Sequence, residues 1–306
     1  YISSMKNSLT ENTRSFLSFF LITIAIVLAS KLIFNLLALG FINKVWDLET
    51  QVIYNDLQNG TFNFVYAHKI LALFDQIGTF LIPSILISLV FKFIQPNYSY
   101  PSKKDFIKLG YIFIILIGST QLLVLISIQI GYDFFSESIQ SYLKTQQDFN
   151  QNLQEKFIEN NFRSFSFNVL LLAIIPAIGE ELFFRGIIQK IFIGIFKNSL
   201  TGIIITSIIF GLLHFQIDNL LAIIFASIIF GLIYDSSKNI LLTIILHFSF
   251  NLFALITMQI IKLDLLSESK IDFAGNYLLI PLSLIAAIIL IKRKEFWKKQ
   301  LFLPVD

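Results

Sequence analysis

Hydrophobic and polar positions along this chain alternate in long blocks rather than with the period of a soluble helix or strand. Nearly unbroken apolar runs occupy 16–41, 70–94, 106–130, 165–195, 200–214, 220–234, 240–261 and 277–291. A helix needs about 20 apolar residues to cross a bilayer, so the blocks predict about eight transmembrane helices in an all-α, polytopic membrane protein. The runs at 200–214 and 220–234 sit at the lower limit of length. The first run is too long for the core of a cleaved leader and lacks a small-x-small site after it, so it is expected to be a spanning helix. Between the blocks, 43–68 is mixed and turn-rich, and 95–108 is basic and broken by Pro96 and Pro101. The longest polar stretch, 131–163, is rich in Gln and Asn. Its Phe149, Leu153, Phe157 and Ile158 recur at three- to four-residue spacing, which predicts an amphipathic helix lying on the membrane or over a cavity.

Composition agrees with this pattern. The 306 residues are 56% hydrophobic and 14% charged, with a mean hydropathy of +0.76, against roughly 45–50% and about 25% for soluble domains. The membrane bilayer is therefore the first partner. With no cysteine, disulfides, thiolate metal sites and a cysteine nucleophile are excluded. A net charge of +3, scattered along the chain, and the lack of a glycine-rich phosphate loop argue against nucleic acid. An even number of spans puts both termini on one side. The face holding the N-terminus, 92–108, 186–201, 235–239 and the C-terminal tail collects about twice as many Lys and Arg as the other, which makes it the cytoplasmic one. Abundant Phe, Ile and Asn point to an AT-rich bacterial coding sequence, hence to a bacterial cytoplasmic membrane. The chain has no internal repeat and no extramembrane segment large enough to fold alone, so it is one membrane domain, 1–306, with a core expected at about 165–262.

Within that apolar background the run Glu180-Glu181-Leu182-Phe183-Phe184-Arg185 stands out. In a soluble protein it would be an ordinary solvated helix face. At bilayer depth a charge costs several kcal/mol, so such residues face protein or water and mark function. Glu181 and Arg185 are four apart with the acid first, the favourable order for a helical ion pair, while Glu180 points about 100° away and is left for chemistry. Two of the three histidines also lie within the apolar runs, in Phe210-x-x-x-His214 and His247-x-x-x-Asn251. Either alone would be an ordinary interhelical hydrogen-bonding residue. Counted at about 1.5 Å per residue from the cytoplasmic ends, Glu180, His214, His247 and Asn251 all fall about 12–20 Å deep, so three helices can meet at one level.

A buried glutamate can take a proton from water, a histidine can hold that water, and a His/Asn pair can donate to an oxyanion. That inventory suits hydrolysis of an amide by water. The same residues also admit a zinc site made of Glu180, His214 and His247, with Asn251 as oxyanion donor. The residues alone leave both readings open.

The three motifs, in this order across an eight-span chain, resemble the CPBP family: the CAAX prenyl endopeptidases of the Ras-converting type and their bacteriocin-processing and immunity relatives. Glu180, Glu181, Arg185, Phe210, His214, His247 and Asn251 carry the resemblance over about 175–255. It implies an intramembrane endopeptidase in which Glu180 and His214 activate water, His247 and Asn251 stabilise the oxyanion, and Arg185 orders the glutamates. It implies a membrane-associated or prenylated peptide or protein as substrate, and either a metal-dependent or a glutamate mechanism. Two other readings compete: a non-catalytic relative acting as a binding or immunity protein, and a proton-coupled transporter with Asp75, Glu180, Glu181 and the histidines as a relay. Transport lacks the paired broken helices of two similar halves.

Overall fold

The computed structural model describes residues 2–91, 97–130 and 136–292. The described residues are helical and form no strand. In chain order the helices are α1 (Ile2–Trp46), α2 (Thr50–Gln58), α3 (Val65–Val90), α4 (Lys103–Ile130), α5 (Glu137–Phe157), α6 (Phe162–Phe196), α7 (Ser199–Leu212), α8 (Leu220–Ser237), α9 (Ile240–Lys262) and α10 (268–292). Among the described residues, seven of these are long and apolar enough to span a bilayer, which makes the chain a multi-pass membrane protein. The remaining expected span is α7, apolar but only 14 residues long. At 1.5 Å per residue it reaches about 21 Å, short of a hydrocarbon core of about 30 Å.

α6 is the axis of the bundle. Over half of its most apolar window, 56%, is buried inside the protein, against 17% for α1 and for α10, which therefore turn most of their surface to lipid. Phe183, Phe184, Ile187, Ile188 and Ile191 of α6 form the largest core cluster, with Phe210 of α7, Ile87 of α3 and Phe19 of α1 packed around them. A second cluster joins Leu109, Ile112 and Leu116 of α4 to Ala226, Phe230 and Ile233 of α8 and Leu242 and Leu246 of α9. On the lipid side, Leu28, Leu32 and Leu36 of α1 stand exposed. Gly179 lets α3 approach α6 closely, since a Cβ there would stand 3.3 Å from Phe80 Cβ and 3.4 Å from the Leu81 amide nitrogen.

Three of the long helices share one irregularity. A wide π turn, at Ile77–Leu81, Val169–Ile174 and Gly275–Leu279, is followed two residues later by Pro83, Pro176 and Pro281. Proline has no N–H and its ring collides with the carbonyl four residues back. Widening the preceding turn makes room for the ring without ending the helix. At Pro176 this leaves α6 continuous through a π turn. A fourth π turn, Phe184–Ile188, has no such proline and contains Arg185.

The turns on one face are built from a repeated dipeptide. Lys197 ends α6 and Lys238 ends α8 in the left-handed region, at φ 54° and 53°. Each is followed by an asparagine whose side chain caps the next helix, Asn198 accepting from the Thr201 amide at 2.9 Å and Asn239 from that of Leu241 at 3.1 Å.

On the opposite face the polar segments fold into helices. The stretch 43–68 contains α2, and 131–163 supplies the 21-residue α5. Asp56 accepts from Thr61, from the Asn63 and Phe64 amides, and from His68 Nε2 at 2.7 Å. Burial works against its charge, but these four donors prevail and hold the carboxyl well below its usual value. Beside it Lys69, fully buried, donates to Ser164 at 2.7 Å and stands 3.7 Å from Glu159. Glu159 is likewise lowered, burial being outweighed by Ser164, Lys69 and Tyr66. These contacts fix the entrance of α6 against α3.

Candidate active site

The sequence order that favours a helical ion pair places Glu181 and Arg185 together. Arg185 Nε is 3.0 Å from Glu181 Oε2, and Nη2 donates to Glu181 Oε1 at 3.4 Å. Both side chains are fully buried. The guanidinium also donates to Ser227 Oγ at 3.2 Å and lies between two rings, 5.3 Å from the centroid of Phe210 and 5.7 Å from that of Phe230. A buried ion pair needs such satisfaction of its remaining donors to be tolerated.

Glu181 has a second partner that spacing did not reveal. His247 Nδ1 is 2.9 Å from Glu181 Oε1. A carboxylate accepts, so Nδ1 carries the proton and Nε2 is turned away from Glu181. That Nε2 lies 3.9 Å from Glu180 Oε2. The imidazole is stacked on Phe230 at 5.1 Å and meets Phe210 edge-on at 6.1 Å. One histidine therefore touches both glutamates, directly at Glu181 and across a gap at Glu180.

His214 is not inside a helix, as the sequence run predicted, but on the turn after α7 ends at Leu212. Its Nδ1 donates to the carbonyl of Phe210 at 2.7 Å. The four-residue spacing in Phe-x-x-x-His thus serves to cap a helix end, leaving Nε2 as an acceptor. Because α7 is short, this turn would leave bare backbone at depth, which is tolerated only under protein or water. α5 covers it: Gln147 donates to Asp218, and Asn150 donates to the Phe215 carbonyl at 3.4 Å. The amphipathic helix expected in 131–163 lies over a cavity.

That cavity, about 560 Å³, is lined by Glu180, Phe210, His214, His247 and Asn251, with Asp75 and Gln76 of α3 and Gln154 of α5. Its apolar walls include Leu171, Leu172, Ala254, Leu255 and Met258. Glu181 and Arg185 lie behind it, not on it. Ser227 and Phe230 carry no motif, because they sit in an apolar run where a serine and a phenylalanine are unremarkable. Gln154, Gln216 and Asn219 at the α5 end of the cavity also carried no motif.

As a metal centre the set fits poorly. Among the described residues, no three His, Cys, Asp or Glu side chains gather closely enough to hold an ion.

Comparison with known families bears on the same stretch. Residues 162–253 match the family model for type II CAAX prenyl endopeptidase Rce1-like proteins. This part of the chain is Rce1-like. The matched segment runs from the start of α6 into α9 and contains all three motifs, so the stretch that carries Glu180, His214, His247 and Asn251 is the one similar to CAAX prenyl endopeptidases. No curated protein and no solved structure matches the chain.

Proposed function

We propose that this protein is an intramembrane endopeptidase that hydrolyses a peptide bond of a membrane-associated or prenylated peptide or protein. The observation that carries the reading is the meeting of Glu180, His214, His247 and Asn251, from α6, the α7 turn and α9, on one cavity. A water there gives one proton to Glu180 while His214 Nε2 accepts its other O–H. The oxygen attacks the scissile carbonyl carbon, and the Asn251 amide and His247 Nε2–H donate to the resulting oxyanion. Glu180 then passes its proton to the leaving amine, and the C–N bond breaks. Donation from Nε2 requires the protonated form of His247, because Nδ1–H already goes to Glu181. In that form two carboxylates, Arg185 and the imidazolium sum to zero charge, the arrangement a water-poor interior favours. The apolar walls suit the hydrophobic part of a membrane-borne substrate. We place both termini and the two Lys-Asn turns in the cytoplasm of a bacterial cell, with α2 and α5 on the far face.

The test is Glu180→Gln, which keeps volume and hydrogen bonding but removes the base. Cleavage should fall at least about a thousandfold while the melting temperature moves by no more than about 2 °C. Near-normal turnover would sink the water-activation role.

A further inference from the structure

Asp75 and Gln76, next to each other on α3, form part of the cavity wall and have no place in the mechanism above. Asp75 Oδ1 takes two contacts from α1, Lys31 Nζ at 2.6 Å and Asn35 Nδ2 at 3.5 Å. Gln76 Oε1 is buried with no donor to satisfy it. An orphaned buried acceptor beside a carboxylate, both on the wall of a cavity, is costly unless a ligand brings donors. Among the described residues, the ionisable groups on the cavity are Asp75, Glu180, His214 and His247. Asp75 and Gln76 present acceptor oxygens to this part of the wall, which suits a ligand group that brings several N–H donors.

Its distance from the reacting atoms follows from the packing of α3 on α6. Gly179 is level with Phe80 and Leu81, so Asp75 and Gln76 lie five or six residues, about 8 Å, further along the parallel helices from Glu180, toward α5. An extended peptide covers that span in two to three residues at about 3.3 Å each.

Resting on the endopeptidase reading, we propose that Asp75 and Gln76 form a specificity subsite for a Lys or Arg side chain two to three residues from the scissile bond of the substrate. The cation pairs with Asp75 Oδ2, and a second N–H of the same side chain donates to Gln76 Oε1. Lys31 stays on Oδ1 and holds the carboxylate in place.

The test uses the full-length protein in proteoliposomes and membrane-associated peptides carrying Lys, norleucine or Glu at each position within four residues of the cleaved bond. At a position two or three residues away on one side, Lys should exceed norleucine in kcat/KM by at least about tenfold, with Glu lower still. The ratio should collapse to within about twofold in Asp75→Asn, and Gln76→Leu should raise KM for the Lys peptide with little change in kcat. Peptide affinity, read by fluorescence anisotropy on wild type, Glu180→Gln and Asp75→Asn, decides the subsite independently of bond cleavage. Equal affinity for the Lys and norleucine peptides at every position overturns the subsite. A Lys preference in binding with no Glu180-dependent cleavage of any peptide would keep the subsite and overturn the endopeptidase.

Discussion

Removing the cation behind the cavity should destabilise the protein far more than removing any surface charge, and removing its partner as well should restore the fold but not the chemistry. In Arg185→Met the carboxylate of Glu181 stays fully buried, with His247 as its remaining ionisable partner and the Thr243 hydroxyl beside it. Breaking a buried pair in this way costs about 3–5 kcal/mol, because a charge is left without compensation. At roughly 2–4 °C per kcal/mol, the melting temperature should drop by on the order of 10 °C. Glu181→Gln should cost a similar amount, since it strands the guanidinium. The double variant Glu181→Gln/Arg185→Met leaves neither charge and should return to within about 2 kcal/mol of wild type, giving a coupling energy of several kcal/mol. Lys238, 2.7 Å from Asp235 with its side chain 62% exposed, is the control: Lys238→Met should change stability by less than about 1 kcal/mol. Melting followed by intrinsic fluorescence in detergent micelles reads all four proteins. Cleavage should remain low in the double variant, because an uncharged residue at 181 no longer balances His247 as an oxyanion donor. A double variant as unstable as the two single ones added together would refute the buried pair.

Three other outcomes are expected. Active protein should carry less than stoichiometric zinc and be little affected by chelators, while His247→Ala and Asn251→Ala lower activity without changing metal content. Elemental analysis showing stoichiometric zinc that is lost in His247→Ala would overturn this. On acidification, Asp56 should contribute stability that is complete above its unfolded value of about 3.9 and is lost as pH falls through its lower folded-state value. Asp56→Asn should therefore melt earlier than wild type at pH 7 and lose less between pH 5 and pH 3, and parallel curves for the two proteins would rule the contribution out. Accessibility tags at 97–105 should report the cytoplasm and tags at 140–155 the other side. A cytoplasmic signal from 140–155 would break the proposed orientation.

What could be read from the sequence was what local spacing and hydropathy encode. The long apolar runs located the spanning helices, and Phe149 and Phe157 marked α5 as amphipathic. The interval from Glu181 to Arg185 gave an ion pair because four residues close one helical turn. The pairing of His247 with Glu181 was hidden, since it joins residues 66 apart and either glutamate of the run would have satisfied the pattern. The exit of α7 before His214 was hidden too. The residues of 200–214 are apolar to the end, and what stops the helix is the ring of His214 folding back on Phe210, together with the cover from α5. The clasp of Asp56 with His68 and of Lys69 with Ser164 was hidden as well, since 43–68 reads only as mixed and turn-rich, and it is the docking of α3 against α6 that buries it.

The π turn at Val169–Ile174 has a consequence for which of the two glutamates meets substrate. A π turn amounts to one extra residue in an α-helix, and each residue advances a helix by about 100°. The start of α6 is pinned by Ser164 to Lys69 and by Asn168 to the Phe157 carbonyl at 2.7 Å. Excising one residue from 169–174 would therefore leave that end in place and swing everything after it by about 100°. The carboxylate now clamped behind the cavity would take the bearing of the one now on its wall, that one would turn to the bearing of Gly179 against α3, and Arg185 would turn away from Ser227. The inserted residue is a phase setting: it selects, from two adjacent and chemically identical side chains, which is the tool and which the fixture.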